Sequence, residues 1–305
     1  MPVQPETSVP TSDPQVGPEG SAPATPKRSM SRTQKILFFA TGWLIVLMPF
    51  LFWWNTWFGR NLSDQQLTEY LHDTKKPRHI QQALVQISER ISRHDAAVAK
   101  WFPEVVAVAT DPVEEVRNTD AWVMGQDTSV AGFHEALLKM LTDSSPMVRG
   151  NAALSLVRFG DATGRSQIVA LLQPAHIAAP VDGHVVDSDR PGTPVHQGGL
   201  LAQLATAGSS TPVEVRSPIP GRIRSVAQPG ANVVANAEIA VVDPSTEQVW
   251  EALRALYIVG QLDNLPAIRR YERDLPDISN DVRKQAQETE REIQSRAAAV
   301  DDRAK

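Results

Sequence analysis

No cysteine occurs in the chain, which excludes disulfides, thiolate metal sites and cysteine nucleophiles. A basic surplus is also missing. Thirty Lys and Arg stand against 35 Asp and Glu, a net charge of −5, whereas nucleic-acid binders usually carry clustered basic residues. There is no G-x-S-x-G elbow and no Gly-rich phosphate loop with its Lys-Ser/Thr partner, so the common hydrolase and nucleotide-binding signatures are lacking. Lysine is absent between Lys139 and Lys284. What is present suits a globular chain: 42% apolar and 21% charged residues over 305 positions, enough for one large domain or two small ones with tails.

Residues 1–34 contain seven prolines among Ser, Thr, Gly and Gln. Such a stretch buries too little apolar surface to offset ordering entropy, so a disordered tail is expected over 1–35. Ile36–Gly59 follows without a charge. As a helix it would be roughly 35 Å long, against a bilayer core of about 30 Å. Trp53, Trp54 and Trp57 cluster at its far end, as indoles do at a membrane interface. A single transmembrane helix over 36–59 is therefore expected, with the lipid bilayer as its partner. Lys27, Arg28, Arg32 and Lys35 precede it, while Arg60 stands alone until Lys75. The positive-inside rule puts the N-terminus in the cytoplasm and residues 60–305 beyond the inner membrane, in the periplasm of a two-membrane bacterium.

From Ser63 onward the periodicity is helical. Ser63 reads as an N-cap before Leu67 and Leu71, and Ile80, Ala83, Leu84, Ile87 and Ile91 form one apolar stripe. A repeat then shows itself. Asp111, Val116 and Arg117 recur as Asp143, Val148 and Arg149, an offset of 32, and again as Asp277, Val282 and Arg283. Second helices, "FHEALLKMLTD" and "LPAIRRYERDL", lie between the copies. A period near 30 built of helix pairs predicts an α-solenoid. The Asp-Pro-x-x-x-Val-Arg opening, the mid-helix Ala152 and the Gly160-Asp161 turn resemble HEAT repeats, over roughly 76–173 and 246–297. That resemblance implies that the Asp and Arg residues hold neighbouring repeats together and carry no catalysis.

The offset from Arg149 to Arg283 is 134, far more than one period. With the segment 174–245 left out it falls to 62, two periods of 31, so an insertion is expected there. Residues 178–204 align without gaps to 216–242 at an offset of 38. Pro180, Gly183, Pro191, Gly192, Val195 and Ala202 recur as Pro218, Gly221, Pro229, Gly230, Val233 and Ala240. Val185, Leu201 and Leu204 recur as Ile223, Ile239 and Val242. Short β-branched runs between Pro and Gly turns read as strands, and two equivalent halves predict a small β structure with pseudo-two-fold symmetry. The pattern resembles the biotinyl/lipoyl-type barrel-sandwich hybrid of carrier domains and of periplasmic adaptor (membrane fusion) proteins. A carrier needs a lysine at the hairpin between the halves, and residues 205–214, "ATAGSSTPVE", have none. No cofactor is expected. Adaptors also carry a membrane anchor and a lysine-free hybrid domain, but join the halves by a long helical hairpin where this chain has about a dozen residues.

His176, His184 and His196 fall in the insertion with Asp182, Asp187 and Asp189. A metal site would need three or four of them to converge, and scattered surface side chains are the expectation, with no metal, catalytic or cofactor-binding residue assigned. "ERDLPD" and "ETEREIQSR" near the C-terminus read as solvated helix faces. The whole predicts a mainly α, multidomain chain: tail 1–35, membrane helix 36–59, HEAT-like repeats 60–173, lipoyl-like β-domain 174–245, repeats again over 246–298, and a tail 299–305. The expected function is a membrane-anchored, non-enzymatic scaffold for a membrane or periplasmic protein partner, with neither nucleic acid nor a small-molecule substrate. An adaptor component of an export or efflux assembly, and an accessory lyase or enzyme subunit, are the alternatives.

Overall fold

A computed structural model describes residues 31–57, 61–273 and 278–303. Within the first stretch, side chains at 34, 35, 40, 46 and 49–57 lie outside the described set. The expected disordered tail falls almost wholly outside it. Helix α1, Arg32–Trp57, begins ahead of the apolar run. Ile36, Leu37, Phe38, Phe39, Trp43, Leu44, Ile45 and Met48 are each 61–70% exposed. Among the described residues no helix is long and apolar enough to cross a membrane. The span expected over 36–59 lies in part beyond those residues.

Residues 61–305 form a separate unit. It is mainly helical, with a small antiparallel β region. Helix α2, Asp64–Leu71, starts at a capping box: the Ser63 hydroxyl accepts from the Gln66 N–H, and the Gln66 side chain accepts from the Ser63 N–H. Helix α3, Pro77–Ser92, opens on proline, whose missing N–H would have no helical partner there anyway. The segment from Ala96 is not one continuous helix. A 3₁₀ turn, Ala96–Trp101, gives way to α4, Phe102–Val108, because Pro103 can only stand in a first turn. Then come α5, Glu114–Met124, α6, Ala131–Met140, α7, Pro146–Arg158, and the short α8, Arg165–Ala170. Helix α7 ends where Gly160 takes a φ of +75°, with the Asp161 N–H bonded to the Leu156 carbonyl, a turn glycine adopts without strain.

Beyond an eight-stranded region lie α9, Thr246–Val259, α10, Leu265–Arg269, and α11, Asn280–Arg303. Helix α11 runs through 299–303, where a tail is expected from sequence; Ala297–Ala299 favour the helix and carry it on. Helices α3, α5, α7, α9 and α11 pack side by side in that order, with α6, α8 and α10 behind them. Two apolar clusters fill the space. One joins α2 to α7 around Trp101, Phe133 and Leu137, and the other joins α7 to α11 around Leu172, Leu253 and Ile268.

The strands are β1, Ala175–Ala178, β2, Gly183–Ser188, β3, Pro194–Val195, β4, Leu200–Ala205, β5, Val213–Arg216, β6, Gly221–Val226, β7, Asn232–Val233, and β8, Glu238–Pro244. The starts of the first four stand at one constant offset, 38, from the starts of the last four. The sheets run β1-β8-β6-β3 and β5-β4-β2-β7. Exchanging each strand for its counterpart converts one sheet into the other, so each sheet draws strands from both halves. Val185, Leu201, Leu204, Ile223, Ile239 and Val242 line the shared core. The left-handed turn positions repeat as well. Gly192 and Gly230 have φ of +89° and +88°, and Gly198 at +75° is matched by Asn236 at +67°, asparagine being the non-glycine residue most at ease there. Strands β1 and β8, first and last, are antiparallel neighbours, with Ala175 opposite Val242.

Candidate functional site

The repeat residues bond along the row of helices. Arg117 grips Asp143 with two hydrogen bonds, Nε to Oδ2 at 2.7 Å and Nη2 to Oδ1 at 2.8 Å, while its Nη1 donates to the Asp111 carbonyl at 2.8 Å. The two side chains are 12% and 11% exposed. Burial opposes the Asp143 charge, but Arg117 and the Ser145 N–H outweigh it and hold the carboxyl below the usual range. Arg149 repeats the gesture: it donates to the Asp143 and Ser144 carbonyls at 2.7 and 3.0 Å, and to Gln167 at 3.2 Å. Fixed this way, these side chains join the ends of successive helices. The third copy's Asp277 lies outside the described residues.

The β region is seated on the helices by polar contacts near its last strand. Asp243 at the end of β8 accepts from Arg224 on β6, Nε to Oδ2 at 2.9 Å, and from Arg270 just past α10 at 3.0 Å. Tyr271 donates its hydroxyl to the Leu172 carbonyl at 2.7 Å, and burial pushes its phenol up to about 12. Gln248 donates to the Leu171 carbonyl at 2.8 Å. Elsewhere on the insert Gln197 donates to Glu114 at the start of α5, and Met147 of α7 packs against the β core. Of these contacts, Asp243–Arg270, Gln197–Glu114 and the packing of Met147 cross from the insert to the helices, whereas Arg224–Asp243 lies within the insert and Tyr271–Leu172 and Gln248–Leu171 lie within the helical part.

The turn between the halves, residues 206–212, is short and largely exposed. It offers hydroxyls from Thr206, Ser209, Ser210 and Thr211 and no amine. The histidines and aspartates of the insert are dispersed. His176 on β1 pairs with Glu238 on β8, Nδ1 to Oε2 at 2.5 Å. Asp182 accepts from the Ala235 N–H at 2.7 Å, and Asp189 from the Arg190 N–H at 3.0 Å. His184 and Asp187 stand on β2, and His196 lies between β3 and β4. Among the described residues no three His, Cys, Asp or Glu are placed to hold a metal ion.

Two features escaped sequence reasoning. Asp120 on α5 is fully buried and neither carboxylate oxygen has a hydrogen-bond partner among the described residues; burial pushes the carboxyl well above its ordinary value. Glu272, after α10, faces Glu290 of α11. Burial first, and the Glu290 carboxyl second, push Glu272 up to about 7, while Arg269, donating to Glu290 at 2.7 and 3.0 Å, holds Glu290 low. No motif signals either group, because only the folded chain sets the burial that distinguishes them.

A HEAT repeat model matches residues 135–162, which span most of α6, all of α7 and the Gly160 turn. No relative is found among curated proteins. Among solved structures, a single-chain, multi-domain long-chain acyl-CoA carboxylase is similar over 46% of this chain at 19% identity, with a TM-score of 0.22. The chain spans 14% of the length of that structure. So loose a superposition carries no argument about this chain.

Proposed function

We propose that the chain is a non-enzymatic scaffold, anchored to the inner membrane by residues 36–59, that presents a HEAT-like array and a lipoyl-like β-module to a protein partner outside the cytoplasm. The seating of the β-module carries the reading. An insert tied to the helices by Asp243 to Arg270, by Gln197 to Glu114 and by Met147 packed on the β core offers a second surface beside the array. Two rigid surfaces in set relation suit a docking platform. The exposed apolar side chains of α1 support the anchor: eight large ones are more than 60% exposed, in a run without charge. Water would not tolerate such a stretch alone. The absence of an amine in 206–212 argues against a swinging-arm carrier, since an amide-linked prosthetic group needs one.

The duplicated β-module also favours an adaptor of an export or efflux assembly. The short link between the halves, in place of a long helical hairpin, makes this the second reading. The test is fractionation of cells expressing the tagged full chain, next to a chain lacking 36–57. The full chain stays with the membrane pellet through alkaline carbonate, the shortened one is released, and protease added to spheroplasts digests residues beyond 61. A full chain released by carbonate, or protected from protease in spheroplasts, would overturn the reading.

A further inference from the structure

Along the row α3, α5, α7 and α9 one burial pattern recurs. Two buried residues, one outward residue and two more buried residues stand at 83–87, 120–124, 152–156 and 252–256. With about 3.6 residues to a turn, the middle residue of each set points away from the core. That position is ordinarily polar on a surface helix. Here it is Val85, Trp122 and Leu154 on three successive helices; Val85 is 41% and Trp122 42% exposed, and Leu154 is half-buried. Arg254 takes the place on α9 and ends the apolar run. One turn earlier on each helix stands an amide, Gln81 on α3, Asn118 on α5 and Asn151 on α7. Asn151 Nδ2 donates to Asn118 Oδ1 at 2.7 Å, and Gln81 Nε2 donates to the Glu115 carbonyl at 3.1 Å. Among the described residues, Gln81 Oε1 and Asn151 Oδ1 accept from nothing and Asn118 Nδ2 donates to nothing. In helix order the open ends are thus acceptor, donor, acceptor. The insert borders this face at the helix starts. Met147, two turns before Leu154 on the same side of α7, packs against the β core, and Gln197 reaches Glu114 at the start of α5.

We infer that this face binds an uncharged, extended segment of a partner protein, laid across α3, α5 and α7 beside the insert. An extended backbone carries a donor and an acceptor on every residue, and these meet the open ends of the three amides. Its apolar side chains cover Val85, Trp122 and Leu154. Main-chain bonds then supply affinity, and the Trp122 ring supplies a large, rigid contact. Packed helices lie about 8–10 Å apart and an extended residue advances about 3.3 Å, so the three helices span about six residues of such a segment. None of the six side chains is charged, so a charged segment would lose hydration and find no ion partner there. A glycan could use the amides too, but Val85 and Leu154 offer its hydroxyls nothing, whereas a peptide with apolar side chains satisfies both rows. The inference rests on the scaffold reading and names the chemistry of its partner. The probe below reads peptide binding alone, so its failure leaves the membrane fractionation result standing.

The test pans the full chain, purified in detergent, against a phage library of random octapeptides. The retained peptides should be uncharged with apolar residues at alternate positions, and the most enriched, synthesised, should bind the full chain saturably by calorimetry. Trp122→Ala should weaken that binding by at least about tenfold, as truncation of an aromatic anchor does. Asn118→Ala should also weaken it, and N-methylation of the peptide backbone should abolish it, an effect that apolar contact alone does not produce. Both variants are checked for an unchanged melting temperature. If Asn118→Ala melts early for want of its bond from Asn151, Val85→Glu on α3 gives a second reading, with binding lost. Chitohexaose, titrated in parallel, should not bind. No retained peptide, a charged consensus, undiminished binding by the variants or by the N-methylated peptide, or chitohexaose binding that depends on Trp122 overturns the inference.

Discussion

Asp120 occupies a place where its repeat counterparts, Ala152 and Ala286, are small, apolar and fully buried. A carboxyl with no partner for either oxygen loses hydration and gains nothing in return. Asp120→Ala should therefore stabilise the chain by about 1–3 kcal/mol, seen as a higher denaturant midpoint at an unchanged slope. Glu272 gives a pH signature. Its pKa in the folded chain is raised to about 7 from an ordinary 4.5, so between those values the folded form keeps a proton that the unfolded form releases. Its contribution is complete below about 4.5 and is lost as pH rises through about 7. Against Glu272→Gln, the melting temperature of the native chain should fall further over pH 5 to 8; parallel curves would refute the raised Glu272 carboxyl. The alanines and the repeat period are visible in the sequence at this scale. The cost of Asp120 and the pairing of Glu272 with Glu290 are not, since both arise from burial or from a partner on another helix.

Among elements, the spacing of Asp, Val and Arg is the most legible signal. Val116, Val148 and Val282 are all buried, and Arg117 meets Asp143 as the HEAT resemblance implies. The duplication in the insert is equally readable, down to the glycines. Gly183 and Gly221 open equivalent strands and press against the carbonyls of Ala205 and Asp243, which are themselves equivalent positions of the two halves. A methyl at either place has no room beside that backbone. Gly221→Ala should cost about 1–3 kcal/mol and expose the β region first, measured as early hydrogen exchange at Ile223 and Val242 while Leu137 stays protected. Less legible are the helix breaks. Pro103 splits an apparently continuous apolar pattern, and Ala297–Ala299 prolong α11 past the last apolar position of the repeat. Local propensity settles both, where hydrophobic periodicity gives no sign.

For the whole molecule, the order of helices and strands follows from the two periodicities, but the bond between insert and host does not. Asp243 belongs to β8, Arg224 to β6 and Arg270 to the helical part, and nothing in their spacing joins them. Asp243→Ala should leave both parts folded and loosen their union. Proteolysis near Pro174 and Ser245 should quicken several-fold while the melting temperature moves only slightly; unchanged cleavage would show the seat to be held by packing alone. The pairing of β1 with β8 has a consequence for how such a chain arises. A segment whose opening and closing strands lie side by side departs from and returns to one spot, so the host needs no extra slack to accommodate it. It behaves as a detachable cassette. Splicing 174–245 out, with a few glycines in its place, should yield a helical array that still unfolds cooperatively, and the same graft point would accept other domains whose termini are neighbours.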